Sequence, residues 1–285
     1  MSLLLLTVLV PLAFIVGLGA SAIGMTAWML MVPVLFVLFG FNLYLTIFIS
    51  LSIDCGNALI MTIIAGQNRQ LDVRQGLRLS LIAAVFAILG VFLGTTFIPQ
   101  NEHLFKSPSA IVTLLFGLAF IRRGIKQGRR EAALALAGSE SQPPAAIAPG
   151  KNRWLSRATL IYPAIFWVSF QSGLVGIGGG MMYAVFLMFC FAYPTLKATG
   201  TAMLISLITT LVATTGIFFQ LPLTDGIGQQ TVILILLLIL VSMVGTIFGA
   251  RIAYSLSIQR LNFLIAGVII FAALLAMGQS LFMGT

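Results

Sequence analysis

Residues 43–65 read LYLTIFISLSIDCGNALIMTIIA, and this stretch decides the fold. Asp54 is its only charge. A helix needs about 20 predominantly apolar residues to cross the hydrocarbon core of a bilayer, so the stretch predicts a membrane-spanning helix. Asp54 then lies about 16 Å from either end at 1.5 Å rise per residue, too deep for a short side chain to reach water. A carboxylate at the bilayer centre costs at least about 2.5–3.5 kcal/mol and marks an ion or substrate pathway by default. Thr46, Ser50, Asp54 and Asn57 are spaced four, four and three residues apart and share one helix face. Such a face either lines a polar path or locks helices together.

The rest of the 285-residue chain agrees. Sixty per cent of it is hydrophobic and 7% is charged, and the mean hydropathy is +1.13. A soluble domain carries about 25% charged residues, so a soluble protein is excluded, as is a disordered one. Continuous rather than alternating apolar runs exclude a transmembrane β-barrel. The start, MSLLLLTVLV, lacks a basic n-region and runs on into apolar sequence, so a cleaved leader is not expected. Cys55 and Cys190, the two cysteines, sit in apolar runs without metal-type spacing and read as small buried hydrophobes. The expected fold is an all-α membrane protein of about 8–10 hydrophobic segments. They fall at 3–17, 24–39, 43–65, 77–98 and 110–121, then at 160–172, 180–191, 196–219, 232–253 and 261–277.

Five segments, a break and five segments suggest an internal repeat. At an offset of 152, Gly24 falls on Gly176, Phe41 on Tyr193, Asp54 on Ser206 and Asn57 on Thr209. Past LPLTDG the offset becomes 155, and GVFLG (90–94) falls on GTIFG (245–249). Both of these small-xxx-small patterns read as packing surfaces. The expected units are a first transmembrane repeat at 1–125, a basic Pro/Ala-rich linker at 126–157 and a second repeat at 158–285. Eight of the 15 Lys and Arg fall between Arg122 and Arg157, which places the linker in the cytoplasm. Arg69, Arg74 and Arg78 place the loop after 43–65 on the same side, and Asp225 stands in an external loop without Lys or Arg. An odd number of segments per half inverts the second copy, the arrangement of alternating-access transporters.

The second informative stretch is GLVGIGGGMM (173–182), inside a hydrophobic region. Gly176, Gly178, Gly179 and Gly180 weaken any continuous helix there, predicting a broken or re-entrant helix whose next half starts near Gly180. A half-helix start leaves free N–H groups that an anion can approach, although glycine runs also serve close helix packing. The first copy, GLGASAIGMTAW (17–28), has Thr26, Ala27 and Trp28 where the second has Gly178, Gly179 and Gly180, so the halves are chemically unequal. No GK[ST] follows, which excludes a nucleotide loop. Lys197, at the cytoplasmic end of its helix, reads as a snorkelling anchor, with a residue that draws anions in as the alternative. His103, the only histidine, has only Glu102 nearby, so no metal is expected.

GLVGIGGGMM followed by AYPTLKATGTAMLIS resembles the TauE/SafE family of sulfite-exporter-like permeases, as do the duplicated layout and the basic linker. Gly176, Gly178, Gly179 and Gly180, then Lys197, Ala198, Gly200 and Thr201, follow the family pattern, with Ala202 where serine is common. The first copy keeps Pro33 and Gly40 but lacks the glycine triplet. The resemblance implies transport of small sulfur-containing or carboxylated anions. The expected protein is a secondary transporter of a bacterial inner membrane. Gly176, Gly178, Gly179, Gly180, Gln171, Ser206, Thr209 and Asn57 would hold the anion, and Asp54 would couple protons. No cofactor and no nucleic acid are expected, lipid surrounds the chain, and a homodimer is compatible with it. A passive anion channel and a permease for small carboxylates are the alternatives. One histidine and one central acid without Ser–His or HExxH argue against an enzyme, and a receptor or scaffold would pass no solute.

Overall fold

The structure, a computed structural model, describes residues 3–97, 122, 125, 154–191, 193, 195–220, 229–253 and 270. Residues 126–153 of the expected linker, His103, Asp225, segment 110–121 and, but for residue 270, segment 261–277 lie outside the described residues, while 154–157, also assigned to the linker, begin a helix. Those described are helical apart from short turns and breaks. In chain order they form α1 (Leu3–Ile23), α2 (Trp28–Val32) continuing into a π-helical turn (Pro33–Leu38), α3 (Leu43–Gln67) and α4 (Val73–Phe97), then α5 (Trp154–Val175), α6 (Gly180–Phe191), α7 (Thr195–Gln220) and α8 (Gln229–Ala253). Stretches of α3, α4, α7 and α8 are long and apolar enough to cross a membrane. The chain is an all-α membrane protein.

Local chemistry sets the helix ends. Asn42 caps α3, its side chain accepting the Tyr44 N–H at 2.8 Å. The helix closes where the Asn68 amide donates to the Ile64 carbonyl at 2.9 Å and Arg69 turns the chain at φ 56°. Asp72 then opens α4 by accepting the Gln75 N–H at 3.1 Å.

The central helices α3 and α7 pack against each other, and each half lends its first helix to the other half: α1 lies on α8 and α5 on α4. Glycines permit the approach, and their contacts are reciprocal. A Cβ on Gly17 would strike the Ser242 carbonyl and the Thr246 N–H, and one on Gly173 would strike the Ala87 carbonyl and the Val91 N–H. Ser242 and Thr246 follow Ala87 and Val91 by 155 positions, the offset read from sequence for this pair of helices. Gly90 and Gly94 in turn back onto Phe170 and Leu174 of α5, and Gly245 and Gly249 onto Phe14 and Leu18 of α1. Phe170 and Leu174 follow Phe14 and Leu18 by 156 positions rather than 152. The difference arises because α1 runs a full turn further past Gly17 than α5 runs past Gly173. Away from these contacts α4 exposes Leu77, Leu81, Val85, Ile88 and Phe92, and α8 exposes Ile233, Leu236, Leu240, Val244 and Phe248. These apolar faces suit lipid.

Candidate functional site: a small cavity between two interrupted helices

Both interruptions occur where the glycines stand. Gly24 (φ 71°) follows α1 and Gly176 (φ 77°) follows α5. This left-handed conformation is open to glycine at no steric cost, and it turns the chain out of each helix. The second half-helix starts at Gly180, as its sequence predicts. The two breaks meet. A Cβ on Gly24 would lie 3.2 Å from the Met181 backbone, and one on Gly180 would lie 3.7 Å from the Gly24 carbonyl.

Asp54 of α3 faces this junction and is buried. Its Oδ1 accepts the N–H of Ala27, the residue preceding α2, at 2.7 Å. A carboxylate of the chain itself thus satisfies a free amide of the first half-helix. Its Oδ2 lies against Gly178, where any Cβ would collide with it.

Oδ2 has no hydrogen-bond partner, and neither have Thr26 Oγ1 and Asn57 Nδ2. All three residues line one cavity, together with Gly24, Gly180 and Ser206. Its volume is about 10 Å³ for the centre of a water-sized sphere, room for about one water molecule. Buried polar groups are nearly always paired, and those left over need an explanation. An acceptor, a hydroxyl and an amide donor around one small space form a site for a polar guest or a proton.

The family model for the sulfite exporter TauE/SafE matches residues 9–276. The chain belongs to the TauE/SafE family. No curated protein and no solved structure matches it. The TauE/SafE family is one of membrane transporters of sulfur anions such as sulfite, and it is not an enzyme family.

In this TauE/SafE protein, Asp54, Asn57, Ser206 and Gly180 come together at the cavity, and Gly178 abuts Asp54. The other residues expected there from sequence are not cavity-lining. Gly176 packs on Ile47, and Gly179 on Tyr183 and Val168. Gln171 is half-buried on α5. Thr209 belongs to a neighbouring polar cluster, in which the Tyr183 hydroxyl meets Ser169 Oγ at 2.8 Å and Thr209 Oγ1 at 3.5 Å. Sequence reasoning missed Thr26 and Ala27 as site residues, although the 152 offset places them on Gly178 and Gly179. It also missed Tyr183, and it missed Ser242 and Thr246, whose hydroxyls each reach Asn57 Oδ1 at 2.9 Å and fix its amide. The last two stand four residues apart in α8, and that spacing was their only signal.

Tyr183→Phe should lower stability by about 1 kcal/mol, because it leaves Ser169 and Thr209 short of a buried partner. Thermal unfolding in detergent measures this. An unchanged midpoint would mean that the hydroxyl cluster contributes nothing.

Proposed function

We propose that this TauE/SafE protein is a secondary active transporter that moves a small sulfur oxyanion, such as sulfite or a sulfonate, by alternating access coupled to protons. The observation that carries this reading is the group of three unpartnered polar atoms around Asp54 where the two interrupted helices meet. A space for one water does not hold sulfite, so the anion binds only after α2 and α6 move apart. The amides at Gly178, Gly179 and Gly180 then face it, with Asn57 and Ser206 as side-chain donors. Gly176, Gln171 and Thr209 join the binding surface only in the opened form. An ionised Asp54 repels an anion, whereas a proton on Oδ2 turns the repelling oxygen into a hydrogen-bond donor. Proton and anion therefore enter together and leave together.

The halves are read as inverted repeats, with Arg69, Arg74 and Arg78 around the turn between α3 and α4 and the linker facing the cytoplasm of a bacterial inner membrane. The test is flux in proteoliposomes under an imposed pH gradient, comparing sulfite, sulfate, thiosulfate, short sulfonates and small carboxylates. Uphill accumulation of one or more sulfur oxyanions is expected. Downhill flux alone would make the protein a channel, and accumulation of carboxylates alone would change the substrate class. No flux of any of them would remove the transport reading.

A further inference from the structure

The cavity is closed differently at its two ends. Towards one end the packing is mainly apolar and no ion pair crosses it among the described residues, with Ile47 and Leu51 of α3 packed in one cluster with Ala213 and Ile217 of α7, and the Phe48 and Phe218 rings 5.9 Å apart. At the other end the turn between α3 and α4 meets the start of α7 through polar contacts. Asp72 Oδ2 accepts the Tyr193 hydroxyl at 2.7 Å and lies 3.5 Å from Lys197 Nζ, the one salt bridge among the described residues. Lys197 also sits over the Tyr193 ring, 4.7 Å from its centre. The Asp72 N–H donates to Thr201 Oγ1 at 3.1 Å. Gly200 leaves room for this, since a Cβ there would run into the Gln70 carbonyl and Ala65.

We propose that Asp72, Tyr193, Lys197 and Thr201 form a latch that closes the cytoplasmic route to the Asp54 cavity and breaks when that route opens. It joins residues more than a hundred positions apart, one from each half, so the halves cannot separate at this end without breaking it. Lys197 and Asp72 keep 39% and 27% of their side-chain surface exposed. Exposed pairs are held weakly and give way readily, which suits a gate and not a structural lock. The Tyr193 hydroxyl, the Gln75 N–H and Lys197 hold the Asp72 carboxyl below the usual carboxylate range, and burial together with Asp72 pushes the Tyr193 phenol up. At neutral pH the carboxylate is therefore ionised and Tyr193 keeps the proton that it donates. Lys197 is thus a gate residue, a role that its reading as an anchor did not include.

The inference rests on the cavity being the transport site and on this end facing the cytoplasm, but its test needs neither flux nor a known substrate. Asp72→Asn suits it because asparagine caps a helix as well as aspartate does, so α4 keeps its start while the charge is lost. Ser206→Cys, in a chain that also carries Cys55→Ser and Cys190→Ser, would report access of a membrane-impermeant maleimide to the cavity, with Ala58→Cys as a second reporter position. In inside-out vesicles Asp72→Asn should speed labelling by about threefold or more, as loss of an exposed ion pair and its hydrogen bond allows. Labelling in right-side-out vesicles should not change. Exchanging the charges, with Asp72→Lys and Lys197→Asp together, should restore slow labelling relative to Asp72→Lys alone. Equal rates with and without Asp72→Asn, or faster labelling from both faces, would overturn the latch. Faster labelling from the external face alone would support the latch and reverse the orientation, and it would count against the proposed topology and not against the gate.

Discussion

Asp54→Asn is expected to fold and to lose proton-driven accumulation entirely. Asparagine matches aspartate in size, and its Oδ1 can take the Ala27 N–H that Asp54 accepts at 2.7 Å. Its amide would stand where Oδ2 now lies without a partner, and it cannot be charged. A neutral group in the membrane interior avoids the cost of a buried carboxylate, so stability should hold or rise. What disappears is the proton that travels with the anion. The measurement compares substrate exchange at equal pH on both sides with accumulation under a pH gradient. Exchange should persist while accumulation vanishes, and its pH dependence should flatten. A variant that accumulates substrate with the parent's pH profile would remove Asp54 from the coupling step.

The second large effect is on assembly. Gly173→Ala places a methyl group on the Ala87 carbonyl and the Val91 N–H, and Gly17→Ala does the same against Ser242 and Thr246. The obstacles are backbone atoms, which no side-chain rotation can move aside, so the helices must part along their length. Overpacking of this kind costs about 1–3 kcal/mol, and each variant should unfold earlier in detergent by that order. Gly66→Ala is the control. Only Leu71 comes within 4 Å of a Cβ there, at 3.9 Å, and alanine favours a helix over glycine by up to about 1 kcal/mol. It should be neutral or mildly stabilising. Equal losses at all three positions would mean that the α1–α8 and α4–α5 contacts are not what limits stability.

Much of this architecture was legible in the residues. The uninterrupted apolar run around Asp54 implied a span, and the glycines at 176–180 implied a break where α5 stops and α6 begins. The 155 offset between GVFLG and GTIFG predicted two related packing surfaces, and both glycine pairs sit against helix backbones. The site was less legible. Asp54, Asn57, Ser206 and Gly180 were expected at the cavity and line it, whereas Gly176, Gly179, Gln171 and Thr209 were also expected and do not. A glycine leaves the same mark in a sequence whether it admits an anion, a tyrosine ring or an isoleucine. Only the surroundings separate Gly178 beside Asp54, Gly179 beside Tyr183 and Gly176 beside Ile47. Lys197 was legible as a helix-end cation but not as the partner of Asp72, because nothing local links positions so far apart.

The sequence by itself determined that this chain lies in a membrane, roughly where it crosses, where its helices break and which family it belongs to. Those properties follow from apolar content, glycine conformational freedom and repeated patterns, all readable along the chain. Only the tertiary structure decided that the Asp54 carboxylate meets the Ala27 amide, that three unpaired polar atoms share one cavity and that Asp72 reaches Tyr193 and Lys197. Each of those depends on which helix faces come together, and close packing in three dimensions sets that.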